Sequence, residues 1–146
     1  MTALSSSPLP IPRPVAIVGD RTGEGAIWCA EEQAVYWTDI NRFLVHRMTY
    51  PDRHLKTWIF DEPPTALALT TEPGRILVAL ASRLLWWWPA QDRREAQGFT
   101  LGDHPRVRLN DGRADPLGNF WVGSMFNNVT PEGLSLIHIS EPTRPY

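Results

Sequence analysis

From Val15 onward the chain is a series of short apolar runs separated by turn residues. Three segments repeat one pattern: a short strand-like run, a tight polar turn, and a second run rich in branched or aromatic residues. They are Gly25 to Ile40 (GAIWCAEEQAVYWTDI), Ala66 to Leu80 (ALALTTEPGRILVAL) and Asp111 to Met125 (DGRADPLGNFWVGSM). In the third, Asp115-Pro116-Leu117-Gly118 puts Asp, Pro and Gly where a type I turn favours them. In the second, Glu72-Pro73-Gly74 suits a type I or II turn. Trp37, Val78 and Trp121 hold the same place in the three hairpins, 41 and 43 residues apart. A repeat of about 40–45 residues, made of four short strands, is the period of a β-propeller blade. The predicted outer strands are Phe43 to Met48 and Leu55 to Phe60 in the first blade. In the second they are Arg83 to Trp88 and a strand near Gly98. No helical stripe competes with this reading.

The expected fold is therefore all-β, a partial propeller over residues 15–133 holding two complete blades and one hairpin. Propellers close with about 4–8 blades. The chain is thus expected to be the amino-terminal part of a longer propeller. An open arc would expose an apolar sheet edge and tend to aggregate. Residues 1–14 read as a flexible leader rich in Ser and Pro, with no apolar core of a secretory signal. Residues 134–146 break the blade rhythm. Ser135 to Tyr146 reads as the translation of a sequencing adapter, a non-native tail, against the alternative of a genuine strand from Leu134 to Ile139 followed by a Pro-rich end.

Composition narrows the functional classes. Net charge is −2, with Lys and Arg scattered, so neither a nucleic-acid footprint nor a polybasic membrane patch is present. The most apolar stretch, Ile76 to Trp88, is interrupted by Ser82 and Arg83 and is too short to span a bilayer. The single cysteine, Cys29, excludes an intrachain disulfide and fits a cytoplasmic location. Its default role is a buried structural thiol. His46, His54 and His104 lack zinc-like spacing. Trp86-Trp87-Trp88 is either a sugar-stacking platform or, preferably, inter-blade core with one exposed ring.

In a propeller the innermost strands line the central channel, and polar residues at their starts face one mouth. Glu24, Thr65 and Arg108 each lie 13 residues before Trp37, Val78 and Trp121. They are expected at one mouth, with Asn110 on the same side of its strand as Arg108. Glu24 is a hard oxygen donor for a divalent cation. Asn110 offers a carbonyl oxygen and an amide donor, and Asp111 could support either neighbour. Arg108 can hold a carbonyl or polyol oxygen with its rigid fork of donors. Blander readings stand beside these: an exposed turn for Glu24 between glycines, a turn at Asn110-Asp111-Gly112, and a solvated strand face for Arg108.

Gly23-Glu24-Gly25-Ala26-Ile27-Trp28, followed by Tyr36-Trp37-Thr38-Asp39-Ile40, resembles the GEGPxW…LYWxDI opening of the regucalcin-like gluconolactonase (senescence-marker-protein) family. The run from Arg108 to Met125 resembles its longer RxNDGxxDPxGxFWxGxM signature. The resemblance covers about Pro14 to Gly133. It implies a six-bladed propeller with one divalent metal ion (calcium, zinc, magnesium or manganese) in its channel and hydrolysis of gluconolactone-like or pentonolactone-like sugar lactones. It places a metal ligand at Glu24 and substrate contacts at Arg108 and Asn110. Where some members carry an acidic substrate contact, this chain has Asn127-Asn128, and Asn128 is the expected sugar contact. The family's other metal ligands, an Asn and an Asp that also serves as catalytic base, lie in later blades. No catalytic base is therefore expected within this chain. Two alternatives remain: a metal-dependent hydrolase of another ester class, such as phosphotriesters, and a non-catalytic calcium-binding propeller.

Overall fold

A computed structural model describes residues 11–127 and the backbone of Ser135–Ile139. The described elements are eleven strands and one turn of 3-10 helix. The first sheet runs in the order β1 (Gly23–Cys29), β2 (Ala34–Asp39), β3 (Leu44–Thr49), β4 (Leu55–Ile59). The second runs β5 (Pro64–Leu69), β6 (Ile76–Leu80), β7 (Arg83–Trp88), β8 (Arg93–Thr100). The third holds β9 (Val107–Ala114), β10 (Phe120–Phe126) and β11 (Ser135–Ile139). Every neighbouring pair is antiparallel. This is the meander expected of propeller blades. The leading strands β1, β5 and β9 pack beside one another across the three sheets, so they are the innermost strands.

Turn residues behave as their chemistry dictates. Gly74 has φ +74° and Arg75 N–H donates to Glu72 C=O, a type II turn with Pro73 and Gly74 at its centre. At the base of the third sheet, Gly118 N–H donates to Asp115 C=O. One oxygen of the Asp115 carboxylate accepts from the N–H groups of Leu117 and Asn119. The other accepts from the Asn119 amide and the Trp121 indole. The Trp121 and Asn119 bonds hold the carboxyl well below the ordinary range.

Two apolar clusters join the blades. Between the first and second sheets, Trp87 is fully buried and meets Tyr36, Trp58 and Phe60 edge to face, at ring separations of 6.3, 4.9 and 5.3 Å. Between the second and third, Ala66, Ala68, Leu77 and Leu84 meet Leu109, Phe120 and Val122. Small residues on β5 and bulky ones on β10 let the sheets approach closely. Trp86 and Trp88 are half-buried rather than one of them exposed, because Arg75 lies over Trp86 and Arg93 over Trp88. Cys29 is free and buried.

The strand Ser135–Ile139 pairs with β10, with Leu136 opposite Gly123 and His138 opposite Trp121. An alternating apolar segment is what an open strand edge accepts. Its side chains, and the rest of 134–146, lie outside the described residues.

Two outcomes are expected. A Cβ at Gly112 would sit 2.7 Å from Phe120 Cζ and 2.9 Å from the Trp121 carbonyl oxygen. Gly112→Ala should therefore cost about 1–3 kcal/mol by overpacking, read as a lower urea midpoint at unchanged slope. Asp39 is fully buried. Burial opposes its charge, but the N–H groups of Arg21 and Thr22 and the Arg42 guanidinium outweigh that and depress its pKa. A depressed carboxylate contributes stability in full above its unfolded pKa, about 3.9, and loses it as pH falls through the folded value. Asp39→Ala should therefore lower stability at pH 7 by roughly 2 kcal/mol or more. It should also flatten the acid limb of a stability–pH profile.

Candidate functional site

The ends of β1, β5 and β9 that open toward the start of each strand share one structural device. Each inner strand is bulged there. Gly25 and Ala26 stand opposite the single residue Trp37, Thr65 is extra between the pairs Pro64–Leu80 and Ala66–Ala79, and Asn110 and Asp111 stand opposite Gly123. Gly25 takes φ +63°, as a bulge opened by glycine requires. Bulges bend a strand and re-aim its side chains, and they gather beside binding sites.

Glu24 precedes the first bulge and is exposed. Its backbone is held on two sides: it pairs with Thr38, whose hydroxyl donates to the Glu24 carbonyl at 3.2 Å. Upstream, the Asp39 carboxylate accepts from Arg21 and Thr22 N–H at 3.0 and 3.1 Å. Arg108 pairs with Met125 and is half-buried. Its Nη1 donates to the Leu109 carbonyl at 2.9 Å and to Asn110 Oδ1 at 3.3 Å. Burial pushes the Arg108 pKa down, and the Glu24 carboxylate pushes it back up. The Glu24 carboxylate on the first blade therefore acts through space on Arg108 of the third.

The equal count of 13 residues conceals a difference in level. Glu24 lies opposite the residue one beyond Trp37, whereas Arg108 lies opposite the residue four beyond Trp121. The β9 residue opposite Val122, one beyond Trp121, is Gly112. Arg108 is therefore carried further toward the mouth than Glu24. The hairpins differ in how far they pair toward their turns, and counting back through a turn carries that difference along. Thr65 is buried and its hydroxyl donates to the Ala79 carbonyl, so it is spent within its own blade. Asp111 is exposed and accepts from the N–H of Gly112. The Asn-Asp-Gly run is a bulge inside β9, not a hairpin turn. Asn127 donates its amide to the Pro105 carbonyl. Asn128 lies outside the described residues.

Sequence reasoning missed the polar group behind this mouth. Asp20 Oδ2 accepts from the Trp37 indole at 2.8 Å, and Asp20 Oδ1 lies 3.0 Å from His46 Nε2. His46 Nδ1 is 2.7 Å from the Thr57 hydroxyl, and the His46 ring stacks on Trp37 at 5.0 Å. The only sequence signal was a His at a position that alternation makes inward-facing. Among the described residues no three His, Cys, Asp or Glu converge as a metal cluster. The donor at the mouth that suits a hard cation is the Glu24 carboxylate, since Asn110 Oδ1 already accepts from the Arg108 guanidinium.

Comparison with known proteins places the chain among relatives. The family described as SMP-30/Gluconolactonase/LRE-like region matches residues 22–142. The chain is 31% identical over 126 residues to a 6-deoxy-6-sulfogluconolactonase of Pseudomonas putida, an alignment covering 84% of the chain and 42% of that protein. It is 34% identical over 112 residues to an L-arabinolactonase of Azospirillum brasilense, covering 75% and 36%. The chain thus spans about two fifths of the length of these relatives. Among solved structures it superposes on a luciferin-regenerating enzyme with TM-score 0.73 and 29% identity, covering 82% of the chain and 42% of the other. A regucalcin of Agrobacterium tumefaciens, described as a calcium-binding protein, shares the fold with TM-score 0.75 at 21% identity, covering 88% and 43%. No helix of the described residues is long and apolar enough to cross a membrane. With most of its length matched by one family and its strand meander shared with that family's solved relatives, the chain belongs to the SMP-30/gluconolactonase/LRE-like family.

Proposed function

We propose that the chain is the first part, residues 15–133, of a six-bladed propeller that hydrolyses sugar lactones with the help of one divalent cation, in the cytoplasm. The observation that supports this reading is that β1 and β9 pack on either side of β5 and are bulged beside Glu24 and at Asn110, two residues from Arg108, with the Glu24 carboxylate acting on Arg108 through space. Lactonases among the relatives, acting by name on sulfogluconolactone and arabinolactone, supply the substrate class.

When bound, the cation, whether calcium, zinc, magnesium or manganese, supplies Lewis-acid polarisation of the lactone carbonyl and a more acidic water. Glu24 is the ligand this chain contributes. It suits that role because it is a carboxylate on a backbone fixed from both sides, with its side chain in solvent. Further ligands and the general base that takes the water's proton would come from the remaining blades. Arg108 is half-buried, its guanidinium oriented by the Leu109 carbonyl and Asn110 Oδ1. A donor so fixed stabilises the oxyanion that develops on the carbonyl without having to reorganise. Asn110 keeps its amide N–H groups for a ring hydroxyl, and Asn128 adds a second polar contact. The substrate is a neutral or anionic small molecule, with no role for nucleic acid or membrane.

In the longer protein, Glu24→Ala should lose both metal affinity and lactone turnover. Unchanged affinity in calorimetry would remove Glu24 from the ligand set. Arg108→Lys keeps the charge but loses the fork, and should lower kcat/KM by about 10–100-fold. Turnover of a sugar lactone should exceed that of a phosphotriester. The reverse preference would favour the other ester class, and no turnover with intact calcium binding would favour a binding propeller.

A further inference from the structure

The carboxylate of Asp20 and the ring of His46 belong to a row of side chains that runs from the segment before β1 across β2, β3 and β4 of the first blade. Asp20 lies on the segment that enters β1, Trp37 on β2, His46 on β3 and Thr57 on β4. A carboxylate only accepts, so His46 Nε2 donates to Asp20, while His46 Nδ1 and the Thr57 hydroxyl share a hydrogen bond. The ring itself is 2% exposed. It cannot turn, because Trp37 is stacked on it while also donating to the other oxygen of Asp20. Both oxygens of Asp20 are thereby fixed.

What this fixes is the approach to Glu24. A Cβ added at Gly23 would sit 3.0 Å from Asp20 Oδ2, so the Asp20 side chain lies directly behind the residue that precedes Glu24. Between them, Arg21 and Thr22 hang by their N–H groups from the Asp39 carboxylate, and Ile40 N–H donates to the Thr22 carbonyl. The segment from Asp20 to Gly23 has little apolar burial of its own. Its path is set by polar contacts, with the Asp39 and Asp20 carboxylates among them, and Asp20 is held by His46.

We infer that His46 is a positioning residue: through Asp20 it holds the segment that aims the Glu24 carboxylate into the mouth. The inference rests on the reading of Glu24 as a cation ligand. Residues behind a metal ligand typically alter affinity by 10–100-fold when removed. A residue serving only the fold would change stability and leave affinity alone.

The test uses the longer protein with manganese(II) as the probe. Titration calorimetry gives affinity, and amide hydrogen exchange follows residues 20–24, in the parent, His46→Ala, His46→Gln and Glu24→Gln. His46→Ala should weaken manganese binding by about 10–100-fold and speed exchange over residues 20–24. His46→Gln, whose amide N–H can reach Asp20, should restore most of both. Unchanged exchange in His46→Ala overturns the inference whatever the metal does. Faster exchange with unchanged affinity, while Glu24→Gln loses binding, overturns it too, since Glu24 would then be placed without His46. If Glu24→Gln itself binds manganese normally, it is the ligand assignment that fails, and the inference falls with it. Should His46→Ala not fold, Thr57→Val, on an exposed strand position, removes only the outer link and should give the same two effects at smaller size.

Discussion

A blade of this kind cannot bury its faces alone, and the packing of one sheet on the next is the constraint from which the rest follows. Trp87 is where it is met most fully. Its ring is enclosed by Tyr36 from the inner half of the first blade and by Trp58 and Phe60 from its outer half. A single side chain thus spans the width of the neighbouring sheet. Burying an indole requires a partner for its N–H, and Asp92 at the turn before β8 provides it. Tyr36 is treated alike: burial first, then its bond to Glu32, raises the phenol pKa, and Glu32 is tied to Arg47 in turn. The inter-blade contact therefore dictates which turn residues must be charged as well as which strand residues must be large.

Once adjacent sheets are clamped by such contacts, their inner strands are forced together, and the chemistry collects where those strands begin. At the mouth each inner strand admits an extra residue. The bulges free backbone groups and redirect side chains. That is how Glu24 remains in solvent while the neighbouring Thr38 and Asp39 are completely buried. The polar residues around it are already engaged: Thr38 by the Glu24 carbonyl, Asp39 by two amides, Thr65 by Ala79. Among the described residues, the Glu24 carboxylate and the amide N–H groups of Asn110 take no part in these bonds, which suits them to ligands that come from outside.

The parts of this arrangement legible in the sequence were those governed by local rules. Alternation and turn chemistry placed the outer strands to within a residue or two, Leu44–Thr49 against an expected Phe43 to Met48 and Arg83–Trp88 as expected, whereas the third hairpin, expected from Asp111, begins four residues earlier at Val107. The shift at Phe43 has a local cause, since that residue takes φ +59° to cap the 3-10 turn. Counting back 13 residues found the right end of the right strands because the blade period is nearly constant. It could not find the level within the mouth, because a bulge and a hairpin of different length each move the register without altering the count. Asn110-Asp111-Gly112 carries the composition of a hairpin turn, yet the partner strand β10 continues past it and makes it a bulge. Only tertiary pairing distinguishes the two.

The Asp20–His46–Thr57 chain was illegible for a further reason. Its members are 26 and 11 residues apart, and no local propensity connects them. Each alone has an ordinary explanation: a turn aspartate, an inward histidine, an outward threonine. What joins them is that antiparallel pairing stacks β2, β3 and β4 side by side, so residues far apart in the chain lie in one row across the sheet, with His46 opposite both Trp37 and Thr57. A polar row that includes a buried histidine is costly unless every member is satisfied, and here each donor in the row has an acceptor. The blade bears that cost where the chain enters β1, beside the segment that leads to Glu24.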